Sequence, residues 1–498
     1  MFKTLANAWN IADLRKKLLF TILIILLYRL GAAIPVPFTM PLELGNGGTT
    51  FNLLNTLSGG AFEQATLFAL GVSPYITASI VIQLLTVAIP ALEKLAKQGE
   101  EGKKKITEIT RYITIAIAIV SAIGYYFMLK YGSGTGASSI GAFVYIDGKS
   151  GLNTFFDILQ AIVIVACFCA GSAVVMWLAE RINEHGIGNG ISIILFANIV
   201  SRAYPLFINF INMFKTEVAG GSAASGLGQE LTDTGTLRPL PDASLAGNAF
   251  PWGSLIFTVV ALVGLLAMMW FIIFISDSER RIPVQYAKRV VGRKMYGGQN
   301  SNIPLKLNMA GVMPIIFANA IITIPSMIAQ FLPYTRDDGT IRVVWYRIIN
   351  LFSSTSWFFA ILMFVFILAF AYFYVAISFN PTEVAGNLQK QGGAIPGIRP
   401  GKATSTFIQK VLSKITLIGA LALSVISVIP LIINVIIDAV RRIETLPDSV
   451  LVPLWSFTYV AELATVGSSI IIVVGVVLEV VREMEAQMTM RHYKGFLD

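Results

Sequence analysis

The sequence predicts an all-α membrane protein of ten transmembrane helices, and three observations predict it. The 498 residues are 55% hydrophobic and 13% charged, with a mean hydropathy of +0.72. A soluble domain carries about 25% charged residues, so a water-soluble fold would have nowhere to bury this much apolar surface. The apolar residues form ten runs, each able to cross roughly 30 Å of hydrocarbon. They fall near 18–34, 64–91, 112–130, 153–179, 189–209, 253–275, 309–332, 356–379, 411–437 and 460–481. Lys and Arg collect in alternate loops, most densely in 93–111 and 277–307. By the positive-inside rule those loops, and both ends of the chain, lie in the cytoplasm.

Taken in order, the first run follows Lys3 and Arg15–Lys17 and precedes GAAIPVP. That outline is shared by secretory signals, but a run of this length with nine more behind it is expected to be an uncleaved first helix. Residues 51–63 (FNLLNTLSGGAFE) are too short and too polar to span. The run after them is interrupted by Gly71 and Pro74, which break helical hydrogen bonding. Non-helical backbone at membrane depth survives only inside protein or beside water. The segment is therefore expected to line an outward-opening cavity, with a surface amphipathic helix as the alternative.

In the run 153–179, Cys167 and Cys169 point to nearly opposite helix faces and cannot bridge each other. The longest outside segment, 216–251, is rich in Gly, Ser, Ala and Pro. It leaves five spans before it and five after it, which is the arithmetic of an inverted repeat, although no letter-by-letter repeat is evident. Its composition suits a flexible hinge between halves 1–215 and 252–498. Loop 277–307 alternates apolar and polar residues around RRIPVQYAKRVVGRK, as a projecting hairpin would. It also carries Arg280, Arg281, Lys288, Arg289, Arg293, Lys294 and Lys306.

Several functions lose their chemical support. The two histidines, His185 and His492, lie in polar stretches, and no His/Cys set has metal-ligand spacing. No GxxxxGK[ST] loop occurs, so the chain supplies no ATP energy itself. Ionisable residues are scarce in the spans: Arg29, Asp157, Glu462 and Glu479 all fall near ends, where side chains reach water. An ion-coupled carrier needs such groups near the middle, and an intramembrane hydrolase needs a nucleophile–base pair or a metal site. No cofactor or metal is expected.

Four stretches carry a resemblance. They are LSGGAFEQATLFALGVSPYITASIVIQLLTV (57–87), MWLAERINEHGIGNGISIILFANIV (176–200), PLKLNMAGVMPIIFA (304–318) and FNPTEVAGNLQKQGGAIPGIRPGKAT (379–404). In them the chain resembles the SecY family, the channel subunits of bacterial protein translocons. The ending RHYKGFLD looks like that of Firmicutes members.

The resemblance implies two inverted five-helix halves forming a clamshell around an hourglass pore, with 216–251 at the hinge. It implies a channel, not an enzyme, in the bacterial cytoplasmic membrane. It also implies a plug helix near 51–63, with Phe51, Leu54, Leu57, Gly59, Gly60 and Phe62. A pore ring would comprise Val72, Ile76, Ile191, Leu195, Ile316 and Ile472, and an apolar ring of this kind dewets and blocks ions. Thr77, Gln83 and Asn319 are implied at a lateral gate, where hydrogen bonds across a helix seam can hold it shut. Partner docking falls to Lys288, Arg289, Arg293 and Lys294 in one loop, and to Arg399 and Lys402 in loop 381–405. The implied partners are SecE and usually SecG, the SecA motor ATPase, the ribosome, signal peptides with nascent chains, and the lipid bilayer.

Overall fold

A computed structural model describes residues 9–41, 54–55, 57–96, 98–131, 150–201, 230–231, 237–238, 252–286, 289–291, 294–296, 300–329, 351–352, 356–441 and 469–489. The first helix, α1 (Ala12–Ala32), turns Ile24 and Tyr28 inward and leaves Leu19, Leu23, Leu26 and Leu30 exposed. That outward apolar stripe is what a helix facing lipid presents. α2 (Ser73–Ala88) and the short α3 (Pro90–Ala96) form a pair bent by 105°. Two long helices follow, α4 (Glu100–Tyr131) and α5 (Ser150–His185), and then α6 (Gly190–Ser201).

The second half of the sequence begins with α7 (Trp252–Asp277), α8 (Met313–Ile322) and α9 (Ile324–Ala329). It continues through α10 (Trp357–Ser378), α11 (Pro381–Lys390), α12 (Lys402–Arg441) and α13 over 469–489. Among the described residues, four helical stretches are long and apolar enough to cross a membrane, and the bent pair makes a fifth. Three shorter apolar helices, α6, the 262–277 part of α7, and α8, fall inside other expected spans. The chain is thus mostly helical, with several membrane-capable spans.

The expected span 64–91 is corrected. Residues 59–72 are turns, and the helix begins only at Ser73. Pro74 does not interrupt this helix but starts it, because its missing N–H falls where the first turn has no partner anyway. The same device recurs at α8. Gly71-Val72-Ser73-Pro74-Tyr75-Ile76 and Gly311-Val312-Met313-Pro314-Ile315-Ile316 share four letters in register. Their glycines sit at φ +55° and +63°, and the valines that follow have nearly identical torsions, φ −90° with ψ −7° and −9°. Left-handed φ favours glycine because it has no Cβ. A repeat invisible as overall similarity is therefore present as one six-residue helix start.

The basic loop is a hairpin, as its alternation predicts. β3 (Glu279–Tyr286) pairs antiparallel with β6 (Asn300–Lys306), placing Ile282 opposite Ile303. A third strand, β7 (Gly393–Ala394), comes from loop 381–405 and pairs with Gln285 and Tyr286. Ile282, Val284 and Leu305 pack on Leu388, Ile395, Ile408, Val411 and Ile415, so the two loops and the start of α12 share one core. Of the 216–251 segment, only Glu230–Leu231 and Leu237–Arg238 are described, as a short antiparallel pair.

The glycine start of α8 gives a direct test. A Cβ at Gly311 would meet open space, so Gly311→Ala should destabilise only through its left-handed backbone, by about 1–2 kcal/mol. Gly386→Ala, in the interior of α11 with similar room, should stabilise by about 0.5–1 kcal/mol. Thermal unfolding of the purified protein should show the two shifts with opposite sign.

Candidate functional site

Four helix segments converge on one apolar cluster. Val72 caps α2, Ile76 lies in its first turn, Ile191 and Leu195 lie on α6, Ile316 on α8 and Ile472 on α13. Val72, Ile76, Leu195, Ile316 and Ile472 are each at most 4% exposed. They belong to a single buried cluster, against which the partly buried Ile191 packs. Val312, the α8 counterpart of Val72, is also in it. Saturated side chains packed in this way offer water no polar partner.

Directly before α2 lies the segment 54–63. The expected plug helix is shorter in the structure: residues 54–55 and 57–58 are helical, and 59–65 form turns. Phe51 lies outside the described residues. Leu54 and Phe62 are buried in a second apolar cluster with Tyr125, Leu129 and Phe168, while Leu57 packs on the first cluster. Polar groups complete the segment. Asn55 donates to the Glu63 carboxylate at 2.7 Å and accepts from the Glu63 N–H at 3.2 Å. Ser58 accepts from the Phe62 N–H at 3.0 Å.

From outside the segment, the Tyr125 hydroxyl donates to the Phe62 carbonyl. Asn198 Nδ2 donates to the Leu57 carbonyl at 2.7 Å. The two glycines differ. A Cβ on Gly59 would stand 2.9 Å from Arg29 Nη2 and 3.0 Å from Asn198 Cα, whereas one on Gly60 would meet nothing within 4 Å.

α2 packs directly on α8, and α4 on α9. Thr77 and Asn319 are buried there. The Thr77 hydroxyl donates to its own helix, at the Ser73 carbonyl, at 3.0 Å, and Gln83 Nε2 donates to Ser79 Oγ at 3.3 Å. Threonine on a helix commonly bonds back to the i−4 carbonyl, so these groups are satisfied without a bond across the seam.

At the hairpin end, Arg399 and Lys402 are exposed, and the Arg399 carbonyl accepts from the Thr404 hydroxyl at 2.9 Å. Arg289 and Lys294 lie on β4 (Arg289–Val291) and β5 (Lys294–Tyr296), which pair antiparallel. Lys288 and Arg293 lie outside the described residues. Arg482 of α13 donates to the Ser276 carbonyl and to Asp277 Oδ1, the latter at 3.2 Å. Partial burial and that guanidinium draw the Lys306 pKa below the ordinary lysine value, against the pull of Asp277, Glu279 and Glu485. The last helix, the end of α7 and the base of the hairpin thus meet in one mixed-charge cluster.

A profile of the SecY family matches residues 66–481. The chain belongs to the SecY family. Protein translocase subunit SecY of Streptomyces coelicolor is 40% identical over 505 aligned residues, with all of both chains covered. That of Mycobacterium tuberculosis is 36% identical over 513, again covering both chains fully. By structure the chain is similar to a solved protein-conducting channel, with a TM-score of 0.54 at 16% identity, over 94% of this chain and 92% of that one. Sec61 in a canine ribosome–channel complex from the endoplasmic reticulum gives a TM-score of 0.52 at 15% identity and the same coverage. The two solved structures speak to the fold alone.

Within this SecY-family fold, sequence reasoning missed the side chains that hold 54–63 from outside. Arg29 is expected to reach water, yet Nη2 turns inward and donates to the Ala197 carbonyl at 2.6 Å and to the Asn198 carbonyl at 3.3 Å. Asn198, amid the apolar residues of α6, and Tyr125, in an apolar run, were passed over. A polar side chain at membrane depth was the available signal.

Tyr125→Phe should remove one hydrogen bond and leave the packing in place. The Phe62 carbonyl then loses that donor, at a cost of about 1–3 kcal/mol. Hydrogen exchange followed by mass spectrometry should show faster exchange over 60–66, with α10 unchanged.

Proposed function

We propose that this chain is the central subunit of a protein-conducting channel, which passes unfolded secretory proteins across the bacterial cytoplasmic membrane and releases membrane proteins sideways into it. One observation supports the reading: Val72, Ile76, Leu195, Ile316 and Ile472, from four helices, belong to one buried apolar cluster with Ile191 packed against it, and the largely irregular 54–63 segment packs on the same cluster through Leu57. A sealed apolar constriction has no fixed polar group to grip a passing chain, so it suits a conduit better than a carrier. Membership of the SecY family supports the same reading.

In this proposal, ten spans form two inverted halves, 1–215 and 252–498, hinged through 216–251, with both termini cytoplasmic. The matched helix starts at Gly71 and Gly311 favour that symmetry, because each opens the second span of its half. Val72, Ile76, Ile191, Leu195, Ile316 and Ile472 form the ring, and 51–63 is the plug. The seam of the second and third spans (α2 and α4) against the seventh and eighth (α8 with α9, and α10) is the lateral gate, bearing Thr77, Gln83 and Asn319. Parting it lets a long apolar signal segment partition into lipid on transfer free energy. The chain is passive and is driven by the SecA motor or the ribosome, whose RNA phosphates attract Lys and Arg. The hairpin with Lys288, Arg289, Arg293 and Lys294, together with Arg399 and Lys402, is the docking face. SecE and SecG complete the complex on its lipid-facing helices.

Two substitutions test these roles. Ile472→Asn places an amide in the apolar cluster and should raise ion leak and relax signal selectivity in reconstituted vesicles. Unchanged leak and selectivity would remove Ile472 from the ring. Arg399→Glu reverses the charge on an exposed turn and should reduce motor-driven export at least tenfold, while protein levels in the membrane hold. Normal export in vesicles would count against docking there.

A further inference from the structure

We propose that Arg29 and Asn198 are positioning residues that latch the 54–63 segment in its shut position. The inference rests on reading that segment as a plug, and it deepens that reading by naming what holds it. Asn198 is fully buried and spends its side-chain donor on the Leu57 carbonyl at 2.7 Å. Its Oδ1 faces the buried Tyr28 hydroxyl, so Leu57 is the one partner among the described residues that its Nδ2 is seen to bond. Losing that contact would strand a buried donor, which is costly, and the bond therefore favours the seated segment.

Arg29 completes the seat. Its guanidinium bonds the carbonyls of Ala197 and Asn198, which fixes the α6 backbone against which Gly59 rests. Gly59 has φ +68°, and a Cβ there would meet Arg29 Nη2, Asn198 Cα and the Asn198 carbonyl at 2.9–3.1 Å. The turn therefore fits closely because residue 59 has no side chain, and it rests against Asn198, which bonds Leu57, and Arg29, which braces the Asn198 backbone. Neither Arg29 nor Asn198 belongs to the apolar ring, so their effect on plug position can be separated from the ring's seal.

The test reads the position of the segment directly. In the full chain, purified with its accompanying membrane subunits and with Cys167 and Cys169 replaced by alanine, Leu54→Cys is a buried reporter. Its reaction with a membrane-impermeant maleimide reports release of the segment. Asn198→Leu removes the donor and should speed labelling on the order of tenfold, the population shift expected for a lost buried hydrogen bond. Arg29→Met should speed it more than Arg29→Lys, which keeps a donor. If Asn198→Leu fails to assemble, Gly59→Ala, which displaces the turn from the other side, carries the test with the Arg29 pair.

Labelling at the wild-type rate in the assembled variants overturns the latch, as does equal labelling in Arg29→Met and Arg29→Lys. Deleting 54–63 and measuring vesicle ion leak tests the plug reading separately. Unchanged leak would overturn that reading while leaving the labelling result to stand or fall by itself.

Discussion

Backbone polar groups at membrane depth must be satisfied inside the protein, and the segment before α2 is where that constraint presses hardest. Helices meet it automatically, because every interior N–H and C=O bonds within the helix. Residues 59–72 do not form a helix, so the polar groups in and around them need partners from elsewhere. The Ser58 hydroxyl donates to the Asn55 carbonyl and Asn55 Nδ2 to the Glu63 carboxylate, while Tyr125 of α4 and Asn198 of α6 donate to the Phe62 and Leu57 carbonyls. Three helices are thereby gathered around the broken segment, since Arg29 of α1 braces the α6 backbone there. Because the chain before it stays irregular, α2 starts beside the segment, and its first turn joins the buried apolar cluster to which α6, α8 and α13 contribute.

The two ends of the molecule answer to different forces. In the apolar cluster shared by α2, α6, α8 and α13, saturated side chains pack on one another. At the hairpin end, strands from two distant loops pair through Gln285 and Tyr286 with Ala394 and Gly393, and a separate apolar core supports them. The base of the hairpin and the loop that carries Arg399 thus share strand pairing and one apolar core. Arg482 ties α13 to the end of α7 through Ser276 and Asp277, so the helix that carries Ile472 is also joined to the element leading into the hairpin.

What was legible in the sequence was whatever depends on composition over many residues. Long apolar runs, the basic hairpin and the scarcity of charge at depth are all sums, and sums survive ignorance of contacts. Family resemblance singled out Val72 and Ile472, which lie 400 positions apart and share one buried apolar cluster. What was not legible depends on single contacts. Pro74 looked like an interruption because its role as a helix start depends on the turn before it. Strand β7 is two residues long and has no periodicity to read. Arg29 looked like an anchor near water because the carbonyls it binds lie 168 and 169 positions away. The paired starts at Gly71 and Gly311 escaped notice because the symmetry is backbone geometry with only four matching letters.

The donors from outside the segment share one trait: they end on main-chain oxygens. Asn198 grips the carbonyl of Leu57 and Tyr125 that of Phe62, and a carbonyl is the same whichever side chain its residue carries. Positions 57 and 62 can therefore exchange apolar residues of similar bulk without loosening the grip, whereas a side chain at position 59 must push against Arg29 or the α6 backbone. A library of substitutions through this stretch should be permissive at 57 and 62 and intolerant at Asn55, Ser58 and the left-handed glycines 59 and 60. What the segment presents to its surroundings is open to change, and what its backbone is held by is not.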